Sequence, residues 1–278
     1  MRKNRLRELL DAGKPSIGTH VITPWPGMME IVGNSGAFDY VEWVGEYSPF
    51  SINLMENMAR ALELYPNMSS MMKVEEQTRG FIAQRSIDAG IQNVLFTDVR
   101  TADDARECVR LVRSERPESG GIHGTGMRRA AGWVLEGGSK AWCDAMDEVV
   151  VALMIEKVPA MKNLEAILQV EGVDMLQFGP SDYSISAGVP GKGGSAEIQA
   201  DQKQMVKMAL EAGVAPRIET GSFEGCKPWL DLGVTHFCIG WDIATVYRWC
   251  KAQAAGMKEL MPDWAPGQGG VEAGSYGQ

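Results

Sequence analysis

The stretch EVVVALMIEKVPAMKNLEAILQVEGVDMLQFGPSD, residues 148–182, places a helical pattern between two short apolar runs. EVVVALMIE (148–156) and VDMLQFG (173–179) show no polar alternation, the mark of strands covered on both faces. Residues 158–169 carry helical spacing, so the segment reads as strand, helix, parallel strand. The same sentence recurs along the chain. Strands are expected at 16–22, 40–45, 70–75, 93–99, 215–220 and 236–242, and helices at 51–64, 76–89, 102–113, 196–212, 222–232 and 243–259. Glycine closes several helices, as in DAG (88–90), EAG (211–213) and DLG (231–233), where a left-handed residue ends the last turn. Eight strands alternating with helices predict an α/β fold of the (β/α)8 TIM-barrel type. A doubly wound open sheet is the alternative; the strand count favours the barrel, and no G-x-G-x-x-G follows the first strand, where Gly18 stands alone.

The 278 residues suit one such barrel, assigned to 1–260, followed by a Gly-rich tail at 261–278. Lys and Arg number 27 against 36 Asp and Glu, a net charge of −9. That balance argues against a nucleic-acid partner, while a local pocket can still bind a small anion. The five cysteines are scattered with no C-x-x-C, which speaks against a disulfide framework or structural zinc and for a reducing cytoplasm. The amino terminus, MRKNRLRELLDAGK, is too charged for a signal peptide. No window approaches the roughly 18 apolar residues of a membrane span, so a soluble protein is expected. Residues 117–147 are too long and Gly-rich for an ordinary βα connection and are expected to be functional.

Barrel chemistry sits where strands end. Polar residues expected there include His20, Glu46, Tyr47, Lys73, Glu75, Asp98, Glu156, Asp182, Glu219 and Asp242. Two stand out. Glu156 ends the most apolar strand of the chain, where an unpaired charge would be costly. Asp182 follows the next strand in FGPSD, whose Gly-Pro turn would present the amides of Ser181 and Asp182 to the mouth. Carboxylates on adjacent strand ends can share one divalent cation, and hard oxygen ligands suit Mg²⁺ or Mn²⁺.

These residues also carry a resemblance. GEYSP (45–49), DAGIQNVLFTDVRTADDARECVRLVR (88–113), IEKVPAMKNLEAILQVEGVDMLQFGPSDYSISAG (155–188) and LGVTHFCIGWD (232–242) resemble the HpcH/HpaI family of class II pyruvate aldolases, over roughly residues 5–255. The resemblance implies a (β/α)8 barrel assembled as a hexamer, a trimer of dimers, with the last helix exchanged. It implies Glu156 and Asp182 as ligands of Mg²⁺ or Mn²⁺, with Co²⁺ or Zn²⁺ as alternatives. The turn of Gly179, Ser181 and Asp182 would hold the carboxylate of a 2-oxo acid. The implied reaction is carbon–carbon cleavage to pyruvate, or a similar enolate, and an aldehyde, with the metal acting as Lewis acid.

The chain departs from the family at its proton-handling groups. The family's D-G-E-H-x-P stands here as Val44-Gly45-Glu46-Tyr47-Ser48-Pro49; the usual arginine of the third strand is Lys73, and the usual glutamine of the fifth is Met154. Glu46, Tyr47 and Lys73 are therefore the catalytic candidates, Lys73 also binding substrate. Tyr47 is expected to orient substrate or act as the acid, with a metal-bound water or the second substrate as base. His123, Arg128 and Arg129 in the long loop either meet an anionic or hydroxylated second substrate or face solvent. His20 either reaches the mouth or, the favoured reading, is a satisfied core histidine; Met154 is expected to be core filling and His236 structural. Competing readings are decarboxylation or another lyase reaction on the same platform, a lysine imine at Lys73, and a non-catalytic binding protein. Aromatic residues on the last helix predict a subunit contact.

Overall fold

The computed structural model describes residues 2–265. Eight parallel strands, β1 (Ser16–Val21), β2 (Tyr40–Val44), β3 (Ser69–Val74), β4 (Asn93–Phe96), β5 (Val151–Ile155), β6 (Met175–Phe178), β7 (Ala215–Thr220) and β8 (His236–Trp241), pair in sequence order. β8 returns to β1 and closes the barrel. Each expected strand is present, with its ends within three residues of those expected.

Because strand side chains alternate, each strand feeds two cores. Val41, Trp43, Val94, Leu153 and Leu176 face outward and join the helices in the larger apolar cluster. Tyr40, Met71, Leu95, Ala152, Met154 and Met175 face inward and fill the lower barrel. Met154 thus has the expected packing place, and it also borders the mouth. A helix not expected from the sequence, Arg5–Asp11, closes the floor: Leu6 joins the inner cluster, and its amide donates to Ser69 Oγ at 2.9 Å. Asn4 Nδ2 donates to Asn93 Oδ1 at 2.7 Å beside it. Gly18 is required by packing, since a Cβ there would lie 2.3 Å from the Tyr40 ring.

The helix expected over 158–169 breaks at Asn163 into Val158–Lys162 and Leu164–Leu168, and the Asn163 side chain donates to Arg100 O at 2.9 Å. Over 222–232 only a 3₁₀ turn and the short helix Lys227–Leu230 form. Further helices stand at Pro26–Ser35, Lys140–Asp147 and Pro180–Ser186, none of them expected from the apolar pattern. The last helix runs Asp242–Leu260; of the tail expected at 261–278, residues 266–278 lie outside the described residues.

The long segment 117–147 needs a correction. It follows the helix Ala102–Val112 and precedes β5, so it joins a helix to a strand and belongs to the end of the barrel opposite the mouth. His123 is buried there, 3.4 Å from Asp88 and edge-on to Trp142. Arg128 also faces Asp88, and Arg129 pairs with Glu63 and donates to Ala89 O at 3.0 Å. These three side chains fasten the loop to the outer helices, and none of them lines the mouth cavity. His236 has its expected structural place, 2.9 Å from Ser16 Oγ.

Candidate active site

A cavity of about 280 Å³ opens at the carboxyl ends of the strands. Most of its polar lining comes from inward-facing strand positions and the residues shortly beyond them, with Gln202 added from the helix Ala196–Ala212. Glu156, just past β5, is 3% exposed. Its Oε1 accepts the amide of Asp98 at 2.8 Å, and Asp98 holds a left-handed backbone (φ 56°) that turns that amide inward. Burial pushes the Glu156 carboxyl up to about 7, against the opposing influence of Lys73 and the Asp98 amide. Gly179 leaves room for this carboxylate: a Cβ there would lie 2.7 Å from Glu156 Oε2.

Asp182 lies in the first turn of the helix Pro180–Ser186 and borders the same cavity. The amides of Ser181 and Asp182 occupy that turn, where helix geometry offers N–H groups no carbonyl partner. Asp182 Oδ1 receives Lys157 Nζ at 3.0 Å, and the same ammonium reaches Asp98 Oδ1 at 2.8 Å. Lys157 therefore bridges two of the three carboxylates gathered here, and those contacts hold it protonated against its partial burial. Glu156 remains without an ammonium partner of its own at this pole. A buried carboxylate of raised pKa, a second carboxylate on the neighbouring strand end and a glycine that keeps the space open form a hard-oxygen donor set suited to a divalent cation.

On the β2–β3 side, Lys73 Nζ stands 2.7 Å from Glu46 Oε2, donates to Tyr47 Oη at 3.4 Å and lies 4.8 Å from the Tyr47 ring centre. Burial alone would lower the Lys73 pKa, but Tyr47, Glu46 and Glu156 hold it above its ordinary value. Imine chemistry needs a neutral amine, usually obtained by desolvation or a neighbouring cation. Lys73 has acidic neighbours instead, which argues against the lysine-imine alternative and leaves it a fixed positive charge.

Sequence reading missed the layer just below. Arg217 and Glu42, 0% and 1% exposed, form an ion pair inside the barrel. Arg217 also bonds Gln177 and donates from Nε to Tyr40 Oη at 2.8 Å, while Tyr40 donates to Phe237 O at 2.9 Å. Gln177 Nε2 in turn donates to Glu219 at 3.0 Å. Burial would raise the Glu42 carboxyl, yet the Arg217 guanidinium, helped by His20 and Lys73, holds it below its ordinary value. A signal existed: Tyr40 and Glu42, like Arg217 and Glu219, are spaced by two, so each pair shares a strand face.

His20 follows the less favoured of its two expected places, at the mouth. It is buried at 6% exposure and lines the cavity, yet neither ring nitrogen has a hydrogen-bond partner. It is not a satisfied core histidine.

The model of the HpcH/HpaI aldolase/citrate lyase family matches residues 25–220, well over half of the chain. The chain belongs to the HpcH/HpaI aldolase/citrate lyase family. The 4-hydroxy-2-oxo-heptane-1,7-dioate aldolase of Shigella boydii is 31% identical over 255 residues, covering 91% of this chain and 94% of that one. A hydroxypyruvate/pyruvate aldolase of Pseudomonas aeruginosa is 28% identical over 261 residues, 93% of this chain and 94% of the relative. Among solved structures, an HpcH/HpaI aldolase/citrate lyase family protein from Burkholderia cenocepacia superposes with a TM-score of 0.83 at 24% identity, over 93% of this chain and 99% of that one.

This HpcH/HpaI protein is accordingly a carbon–carbon lyase, and divalent-metal dependence goes with the family. All five cysteines are free, and no helix among the described residues is long and apolar enough to cross a membrane.

Proposed function

We propose that the protein cleaves a 4-hydroxy-2-oxo acid to pyruvate, or a close relative of it, and an aldehyde, with Mg²⁺ or Mn²⁺ held by Glu156 and Asp182. The observation that carries this reading is the meeting of a buried, raised-pKa carboxylate and the Gly179–Asp182 turn in the cavity at the barrel mouth. The bound metal supplies Lewis-acid polarisation of the 2-oxo group, which lowers the cost of the enolate that carbon–carbon cleavage releases. The chain's own groups do the rest. The amides of Ser181 and Asp182 bind the substrate carboxylate, so that the oxo acid approaches in one orientation. Lys73, fixed as an ammonium by Glu46, offsets negative charge that develops beside it. Trp229 and Trp241 add aromatic surface to the cavity wall.

Tyr47 stands where its hydroxyl meets both Lys73 and the cavity, and its role is to orient the substrate or deliver a proton. General acid–base groups contribute roughly 10²–10⁴ in rate. Tyr47→Phe is expected to lower kcat at least about tenfold with metal affinity unchanged. Steady-state pyruvate release and a metal titration check this; a fully active Phe variant takes Tyr47 out of the mechanism.

The assembly belongs to the same reading: a cytoplasmic homo-oligomer, a hexamer built as a trimer of dimers. Supporting it, the helix Asp242–Leu260 leaves Ile243, Val246 and Trp249 exposed, and Trp249 keeps 63% of its surface. Light scattering at micromolar concentration is expected to give a multiple of the 30.3 kDa chain mass; a monomeric mass refutes the assembly.

A further inference from the structure

The proposed reaction requires that the 4-hydroxyl proton leave as the carbon–carbon bond breaks, and the groups at the metal pole are already engaged. Lys157 is shared between Asp98 and Asp182, Lys73 is held by Glu46 and Tyr47, and Glu156 is a metal ligand in the proposed reading. Across the barrel the situation is reversed. β1 lies opposite β5 in the closed order of eight strands. There His20 lines the same cavity with both ring nitrogens unbonded, although only 6% of the residue is exposed. A buried imidazole without partners is costly unless something else uses it. Glu219 Oε2, from β7, stands 3.7 Å from His20 Nδ1, just beyond hydrogen-bond distance, and Trp241 meets the ring edge-on at 5.2 Å. From β2 and β8, Glu42 and Cys238 approach the ring as well.

A second cation among His20, Glu42 and Cys238 is the competing use of this place. It is disfavoured because Glu42 already holds the Arg217 guanidinium, and burial keeps the Cys238 thiol protonated. An imidazole flanked by a carboxylate is instead suited to moving a proton, since Glu219 can fix the tautomer and leave Nε2 as the base.

We propose that His20, oriented by Glu219, is the acid–base residue of the carbon–carbon step; this rests on the aldolase reading given above. In cleavage, His20 Nε2 takes the 4-hydroxyl proton. The oxygen's electron pair becomes the C=O of the departing aldehyde, the C3–C4 bond breaks, and its electrons pass into the C2–C3 bond of pyruvate enolate. A solvent proton then adds to C3, and the imidazolium returns its proton to solvent, so nothing is oxidised or reduced. In the aldol direction the imidazolium protonates the new alkoxide. His20 thus handles the hydroxyl proton, whereas proton exchange at C3 of pyruvate does not need it.

The test uses the full-length protein loaded with Mn²⁺ and two assays. One follows pyruvate release from 4-hydroxy-2-oxopentanoate; the other follows exchange of the pyruvate methyl protons in D₂O by NMR. His20→Asn and His20→Gln are expected to lower kcat for cleavage about 10²–10⁴-fold. Methyl exchange should stay within about threefold of the parent, because metal and carboxylate binding are untouched. Glu219→Gln should lose roughly tenfold in cleavage, as an orienting group would. Cleavage by both His20 variants within threefold of the parent overturns the proposal. So does parallel loss of exchange and cleavage in variants that keep the parent's melting temperature, since that would place His20 in binding or enolisation. A parent protein that neither exchanges nor cleaves overturns the aldolase reading itself, and the role of His20 with it.

Discussion

Replacing Glu156 by Gln is expected to abolish carbon–carbon cleavage, lowering kcat/KM at least a thousandfold, while leaving the barrel folded. Loss of the cation would remove several kcal/mol of transition-state stabilisation. The same substitution should leave the metal-free protein no less stable, because Glu156 is costly to the apoprotein. Its carboxyl is raised to about 7 against an ordinary value of 4.5. Between those values the folded chain binds more protons at this site than the unfolded chain, so metal-free stability falls as pH rises from about 4.5 to 7. At pH 8 the Gln variant, measured by thermal denaturation with EDTA present, is expected to exceed the parent by about 1–3 kcal/mol. Metal binding has the opposite sign. The ligand must lose its proton, so Mn²⁺ affinity strengthens up to about pH 7 and levels off above it. Asp182→Asn should lose the metal too, though with Lys157 left only Asp98 as a partner. Calorimetric titration with Mn²⁺ decides the matter: a Gln variant that binds it as well as the parent removes Glu156 from the metal site.

The second large effect lies one layer deeper, in stability. Arg217→Met strands the Glu42 carboxylate, 1% exposed, without its guanidinium and leaves Gln177 and Tyr40 short of a donor. Breaking a buried pair from one side costs about 3–5 kcal/mol, which for a chain of this size lowers Tm by roughly 10 °C. Removing both charges, as in Glu42→Leu with Arg217→Met, should recover most of the loss, since desolvation of the pair offsets much of its attraction. Circular-dichroism melts of the single and double variants measure this. If the single variant melts with the parent, the barrel interior admits water at this level and the pair contributes little.

The legibility of this protein divides along a physical line. Strand number, strand order and the mouth as the place of chemistry were contained in the sequence, because a buried parallel strand must be apolar on both faces and each helix must end where a glycine allows it. The placement of Glu156 and Asp182 at one cavity was legible for a related reason: a carboxylate after an apolar strand and another in a Gly-Pro turn are local patterns, and they mark neighbouring strand ends. The family resemblance rested on the same residues.

What the sequence by itself did not decide is which side chains meet across the barrel. The Glu42–Arg217 pair joins positions 175 residues apart, and no local period relates them. Length and Gly-richness singled out the loop at 117–147, while only the order of elements says that it lies at the end of the barrel away from the mouth. The N-terminal helix was missed because its stability comes from closing the barrel floor through Leu6 and Asn4, a tertiary contact that short amphipathic segments need and cannot announce. His20 shows the division most sharply. One histidine at a strand end reads as core from sequence, since imidazoles there usually find a partner; closure of β8 onto β1 decided that this one faces the cavity with none.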